Sequence, residues 1–378
     1  MKDSTRVLIA GGGVGGLTLA QALRTAGIEV VVYEQDPTPQ TRNQGYRIHI
    51  DPDGNAALGE CLTPEIFDAL RRSSSISGDM VTRFTTGLER VSAYEFPGIP
   101  ADMITAVDRN AFRRGLLTGL DDVVRFGRTV SDYRITDSGR VRVEFAEGGT
   151  DEGDLLVGAD GVGSVIRRRL LPEAIVEDFG IRCLYGRMPL TGNLEPEEFD
   201  RGLTMVAEGR TCVAAFGPVR FRTPQAGQPD YLMVALCATP ERLGVGDEVL
   251  FRMSAEELWK LSSDIVSDWH PRIRDIYARS EIDSFFPITF RISAPVAGWE
   301  PGPVTLIGDA IHAMPPTAGA GANTALADAA TLAREILSAT RGEKSLATAL
   351  GDYQSVLLPR GHRAVENSRR MAAEMFSD

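Results

Sequence analysis

Near the N-terminus, Gly11-Gly12-Gly13-Val14-Gly15-Gly16 separates a short apolar run, Arg6 to Ala10, from a helical pattern, Leu17 to Ala26, closed by Gly27. The apolar run lacks alternation, which reads as a strand buried on both faces. Glu29 to Tyr33 is a second, β-branched strand. Glycines at a strand-to-helix turn let the backbone approach a pyrophosphate lying on the helix N-terminus, because no Cβ holds the ligand away. Glu34 follows at the end of the second strand, about 20 residues on, where a carboxylate accepts from ribose hydroxyls. Gly11, Gly13, Val14, Gly15, Gly16 and Glu34 therefore form a candidate dinucleotide site. Taken alone, the glycines also suit a tight structural turn, and the motif does not choose between NAD and FAD.

A chain of 378 residues holds two domains or one large one. Its 40 Lys and Arg against 52 Asp and Glu leave a net charge of −12, which argues against nucleic acid and anionic membrane surfaces as partners. Cys61, Cys183, Cys212 and Cys237 are too few and too scattered for a disulfide scaffold, and no Cys-x-x-Cys or Cys-x-x-His pair offers a zinc site. No metal is expected. Lys2 and Arg6 before an apolar run imitate a signal peptide, but the glycines interrupt it. The expectation is a cytoplasmic protein with free thiols.

Further along, helical patterns recur at Asp108 to Leu120, Ser164 to Leu170 and Ala320 to Ser338. Arg128 to Thr136 and Arg140 to Phe145 flank the turn Asp137-Ser138-Gly139 and predict a hairpin. Leu155 to Val157 and Val304 to Ile307 read as short buried strands. Between Phe179 and Ser293 the texture changes to strand-like runs (Leu203–Val206, Thr211–Phe216, Tyr231–Cys237) separated by Pro- and Gly-rich turns, with helical stretches at Ala255 to Val266 and Pro271 to Ala278. That mixture predicts a sheet-based domain inserted into an α/β domain. The Arg-rich stretch Ser345 to Met375 has helical period and is expected to pack along the outside.

A second constellation runs from the buried strand Val304 to Ile307 into Gly308-Asp309 and on through His312, Pro315-Pro316 and Gly319-Ala320-Gly321-Ala322-Asn323. A third is Gly158-Ala159-Asp160-Gly161, and a fourth is Asp108-Arg109-Asn110. With these residues the chain resembles the single-component FAD-dependent aromatic hydroxylases of the p-hydroxybenzoate hydroxylase fold, in the compact form without a thioredoxin-like C-terminal domain. The resemblance covers the chain up to about Asp328, departing at Ala320 and Ala322, where the family often carries larger residues.

The resemblance implies an α/β fold: a Rossmann-like FAD-binding domain with an inserted β-sheet substrate domain and C-terminal helices. The implied boundaries are 1–75, 100–178 and 294–340 for FAD binding, 76–99 and 179–293 for substrate, and 341–378 for a helical segment. It implies that Asp309 hydrogen-bonds the ribityl chain of FAD and that Pro316 lies against the isoalloxazine ring. Gly321, Ala322 and Asn323 then begin a helix whose free N–H groups stabilise the negative charge of reduced flavin. Arg109 is implied to reach the FAD phosphates or ring, the other reading being a surface salt bridge. Asp160 has two readings: a cofactor-region residue by resemblance, or the N-cap of the following helix by physics.

The implied activity is a monooxygenase in which NADPH or NADH reduces FAD, oxygen adds at flavin C4a, and the hydroperoxide hydroxylates an aromatic or polyketide-like small molecule. A reductase or oxidase on the same scaffold is the alternative. Halogenases of this fold carry a Trp-x-Trp motif that Trp259, Trp269 and Trp299 do not form. No catalytic acid or base stands out. His312 is read as a structural hydrogen-bonding residue, and His362 as solvated. Arg47 and His49 share a strand face and are candidates for orienting substrate, contacting the cofactor or merely covering it. Phe216, Met233 and Pro316 are candidates for the substrate pocket, with Met205, Phe286 and Phe290 beside them. The protein is expected as monomer or homodimer.

Overall fold

The computed structural model describes residues 5–41, 47–76, 78–95, 100, 102–192, 194, 196–224 and 229–376. The glycine turn lies where the sequence predicts it, between the strand Arg6–Ala10 and the helix Val14–Thr25. That strand is central in a five-stranded parallel sheet. From edge to edge the sheet runs Val304–Leu306, Leu155–Gly158, Arg6–Ala10, Glu29–Glu34, Val124–Phe126. Val7, Leu8 and Ile9 are wholly buried, as a strand covered on both faces requires. The helices Val14–Thr25 and Ala320–Thr340 pack against each other over this sheet.

The predicted hairpin forms as Val130–Ile135 and Val141–Phe145, and Thr150–Gly153 extends it to a three-stranded antiparallel sheet. Arg6 and Tyr33 tie it to the parallel sheet through Asp151, at 2.5 Å each.

A seven-stranded sheet makes the second layer, in the order Phe286–Ser293, Val176–Pro189, Tyr231–Ala238, Cys212–Val219, Gly202–Glu208, Met80–Thr85, Arg90–Glu95. Its pairings are antiparallel except Gly202–Glu208 with Met80–Thr85. One face is covered by the helices Ala255–Ile265 and Pro271–Ala278, with Phe199, Phe216, Leu236 and Tyr277 in that core. The other face looks towards the parallel sheet.

The period of two decides which side chains face which way. Phe216 pairs with Val234, whereas Met233 pairs with Gly217, one position on. Phe216 therefore points into the helix-covered core, fully buried beside Phe199 at 5.3 Å between ring centroids. The pocket role expected for Phe216 is overturned, and its neighbour Ala215 takes the cavity-facing position.

The C-terminal helix, Leu346–Met375, is not an outer appendage. Tyr353 and Leu357 are wholly buried, and the Tyr353 hydroxyl donates to the carbonyl of Leu306 at 2.9 Å. His362 is half-buried rather than solvated, and its Nε2 accepts from the Val296 N–H at 3.3 Å. No helix among the described residues is long and apolar enough to cross a membrane.

Candidate functional site

One cavity of about 1560 Å³ runs between the two layers, from the glycine turn to the open face of the seven-stranded sheet. Gly11, Gly13, Val14, Gly15, Gly16 and Glu34 all line it. Gly11 has φ +112, and a Cβ there would sit 2.2 Å from the carbonyl oxygen of Ala159, so only glycine fits. Gly13 precedes the helix Val14–Thr25 with no side-chain cap, and a Cβ on Gly13 would meet nothing within 4 Å. The first-turn N–H groups are thus left to an anion in the cavity.

Glu34 is held in place by its surroundings. Oε2 accepts from the Gly12 N–H and Oε1 from the Asp36 N–H, both at 2.9 Å. Arg113, whose candidacy the sequence did not suggest, pairs with Glu34 at 3.2 Å and Asp36 at 3.4 Å and donates to the Gly12 carbonyl at 3.0 Å. It lies four residues, one helical turn, beyond Arg109, the one signal that pointed to it.

Ser164, not Asp160, is the N-cap of the helix Val165–Leu170, its hydroxyl accepting from the Arg167 N–H at 2.9 Å. The first-turn N–H groups and that hydroxyl are in turn braced by Asp160. Its Oδ2 accepts from the Val165 N–H at 2.7 Å and the Ile166 N–H at 3.3 Å, and its Oδ1 takes the Ser164 hydroxyl at 2.5 Å. It also lines the cavity.

Across the cavity, Gly308 adopts φ +61 and presents Asp309. Burial pushes the Asp309 carboxyl up, while His312 and Arg109 nearby pull it down. Asp309, Arg109, Met314, Pro316, Gly321 and Ala322 form this wall. The helix Ala320–Thr340 starts after Gly319, at φ +62 and without a side-chain cap. Asn323 departs from expectation: its side chain is not in the wall. Its Nδ2 donates to the carbonyls of His49 at 3.0 Å and Gly319 at 2.9 Å, and its Oδ1 accepts from the Asp51 N–H at 3.1 Å. It pins the Arg47–His49 strand to the helix start.

Beyond Pro316 the lining becomes largely apolar, with Met205, Ala215, Met233, Ala235 and Phe290 from the sheet and Met371 and Met375 from the C-terminal helix, beside the charged Arg83 and Glu374. Phe286 stacks on Tyr185 instead and is not in the lining. Arg47 and His49 stand where the two halves meet. Burial, then Arg47, holds the His49 imidazole below its ordinary value, so it is neutral near pH 7.

The residues present fit FAD. The Asp309 carboxylate is open to the cavity and accepts no hydrogen bond among the described residues, which suits it to a hydroxyl donor. Two uncapped helix N-termini open onto the same space. The cavity is long enough to leave an apolar chamber past the second of them.

Comparison with known proteins agrees with this geometry. A family profile described as FAD binding domain matches residues 263–368, and one described as NAD(P)-binding Rossmann-like domain matches residues 9–54. The Stigmatella aurantiaca aurachin C monooxygenase/isomerase is 30% identical over 381 residues, covering 98% of this chain and 90% of that protein. The dual O-methyltransferase/FAD-dependent monooxygenase CTB3 of Cercospora beticola is 31% identical over 99% of this chain. This chain spans about half the length of that relative, 46%. An FAD-containing protein of Photorhabdus luminescens, assigned as a monooxygenase, superposes with TM-score 0.85 at 28% identity, covering 98% of each chain. The chain belongs to the FAD-dependent monooxygenases, a class of flavoprotein oxidoreductases.

Proposed function

We propose that the protein is an FAD- and NAD(P)H-dependent monooxygenase that places one atom of O2 on an electron-rich aromatic or polyketide-like ring. The observation that carries this reading is the continuity of the cavity: a dinucleotide cradle opens without a break onto an apolar sheet face. Bound FAD supplies the redox chemistry, accepting a hydride from NAD(P)H and, once reduced, activating oxygen.

The chain's own residues bind, orient and exclude water. The N–H groups after Gly13 receive the pyrophosphate, and Glu34, braced by Arg113, faces the adenosine ribose. Asp309 accepts from the ribityl hydroxyls, with Arg109 offsetting its charge. The N–H groups of Gly321 and Ala322, at the uncapped start of their helix, would stabilise negative charge on a bound ring. Met205, Met233 and Phe290 hold the substrate ring in a water-poor chamber. The names of the relatives favour oxygen insertion over the reductase or oxidase alternative.

The test is an anaerobic titration of the FAD-loaded protein with NADPH and then NADH, following the flavin band with and without a panel of phenolic compounds. Bleaching accelerated by one class of compound supports the reading. Bleaching by neither nucleotide under any condition removes its electron donor.

A further inference from the structure

We propose that Cys183 and Cys237 form a reversible oxidation site in the chamber wall, a dithiol that takes hydrogen peroxide and closes to a disulfide. The peroxide is the by-product of reduced flavin meeting oxygen with no substrate in place. Its source therefore rests on the monooxygenase reading, whereas the thiol chemistry does not.

Cys183 lies on the strand Val176–Pro189 and Cys237 on its antiparallel neighbour Tyr231–Ala238, where the register sets them directly opposite one another. Residues so paired point to the same face of a sheet. Here that is the chamber face, shared with Met233 and Ala235. The two sulfurs are 2.8 Å apart, in contact and within reach of a bond. Cys237 lines the cavity, while Cys183 is wholly buried beside it. The remaining thiols lie elsewhere: Cys212 is in the helix-covered core and Cys61 in the core around the parallel sheet.

Buried thiols are ordinarily inert, because the thiolate is the nucleophile. Burial does push the Cys183 thiol up, Cys237 adds to that, and the Tyr185 hydroxyl offsets part of it. Attack therefore starts at Cys237, the sulfur that a solute in the cavity reaches. Peroxide passes one oxygen to the Cys237 sulfur and leaves as water, which makes a sulfenic acid. The Cys183 sulfur then attacks that sulfur, its proton joins the departing hydroxide, and a second water leaves. One peroxide is reduced to two waters while two thiols are oxidised to one disulfide. The second step joins atoms already in contact, a placement that raises the effective concentration by orders of magnitude over a free thiol. The competing targets are the thioethers of Met205 and Met233 on the same wall, whose sulfoxides need a dedicated reductase to reverse.

The test exposes reduced, FAD-loaded protein to hydrogen peroxide, quenches with catalase, alkylates under denaturing conditions with N-ethylmaleimide and maps the peptides by mass. The expected result is loss of two of the four alkylatable thiols, a crosslinked Cys183–Cys237 peptide, and recovery of both thiols with dithiothreitol. In Cys183→Ser, dimedone should trap the sulfenic acid at Cys237, with Cys61 and Cys212 still alkylatable. Four thiols intact after peroxide, whether or not Met233 gains oxygen, overturns the proposal. So does a loss spread over all four cysteines. Should Cys183→Ser fail to fold, the wild-type crosslink still decides. A second arm replaces added peroxide with NADPH or NADH and oxygen in the absence of substrate, and the same crosslink is expected. A crosslink from added peroxide but none from nucleotide would retain the site and remove the flavin as the source of its oxidant.

Discussion

The imidazole of His312 and the carboxylate of Asp328 meet at 2.6 Å directly behind the Gly308–Asp309 turn, both buried. Asp328 also accepts from the Gly308 N–H at 3.0 Å and from Arg360 of the C-terminal helix at 2.8 Å. One carboxylate therefore joins the turn that presents Asp309, the loop beyond it and the last helix. Gly361 closes the packing, since a Cβ there would come 2.9 Å from His312 Cδ2.

Removing the centre of that network leaves the Arg360 guanidinium without its carboxylate and the buried His312 imidazole without its hydrogen-bond partner. Asp328→Ala is expected to cost about 3–5 kcal/mol, because an uncompensated buried charge is more damaging than a lost pair. Denaturant unfolding at neutral pH checks this. A loss below about 1 kcal/mol would mean that the network contributes little.

The same pair gives stability a pH signature. Burial works against the charged imidazole, but Asp328 outweighs it and raises His312 above its ordinary 6.5. That contribution is complete below 6.5 and is lost as pH rises through the folded-state value. Burial likewise opposes the charged form of Asp328, but His312 and Arg360 hold it below its ordinary 3.8. Its contribution is present above 3.8 and is lost as pH falls through the folded-state value. The Tm advantage of wild type over His312→Gln should be greatest between about pH 4 and 6.5 and shrink on the alkaline side. An advantage that grows towards pH 9 would reverse the assignment.

Two glycines two residues apart should behave oppositely. Gly11→Ala puts a Cβ 2.2 Å from the Ala159 carbonyl oxygen at φ +112, and unfolding should register a loss of about 1–3 kcal/mol or more. Gly13→Ala has φ −82 and open space, so the apoprotein should melt within a degree or two of wild type. Its FAD Kd should nevertheless rise roughly tenfold, since the methyl occupies the place of the pyrophosphate. Unchanged FAD affinity in Gly13→Ala would displace the pyrophosphate from that turn.

Asp309→Ala should retain the fold and lose the cofactor. A hydrogen bond to a charged group contributes about 1.5–3 kcal/mol, so the FAD Kd should rise roughly ten- to a hundredfold. Equilibrium dialysis of the variant against FAD checks this, and wild-type affinity would remove Asp309 from the ribityl contact.

Phe216 and Met233, on adjacent strands, separate core from chamber. Phe216→Ala should lose about 3–5 kcal/mol of stability with little effect on ligand affinity in what remains folded. Met233→Ala should cost less stability and change the affinity for ring ligands, read by flavin perturbation. The reverse pattern would exchange their assignments.

The nucleotide half of this site was legible because its signals are local. Gly11 to Gly16, Glu34 and Gly308-Asp309 each sit at a strand end, and a strand-to-helix turn leaves its residues little choice of position. The chamber was less legible because its lining depends on long-range register. Whether Phe216 or Ala215 faces the cavity is decided by pairing with Tyr231–Ala238, and a one-residue slip would exchange them. Asn323 had the spacing of a cofactor ligand, but its amide is used by His49, Gly319 and Asp51, two of them far away in sequence. Met371 and Met375 reach the cavity because the last helix folds back across the molecule, where Arg83 donates to the carbonyls of Glu374 and Met375 at 3.4 Å. Nothing local encodes that return.

The central claim is oxygen insertion, and isotope labelling tests it most directly. FAD-loaded protein is supplied with NADPH or NADH, 18O2 and a panel of electron-rich fused aromatics, and the products are weighed by mass spectrometry. The account predicts a product carrying one 18O atom for each nucleotide consumed. Nucleotide oxidised with every compound while all the label appears in hydrogen peroxide would contradict it and make the protein an oxidase.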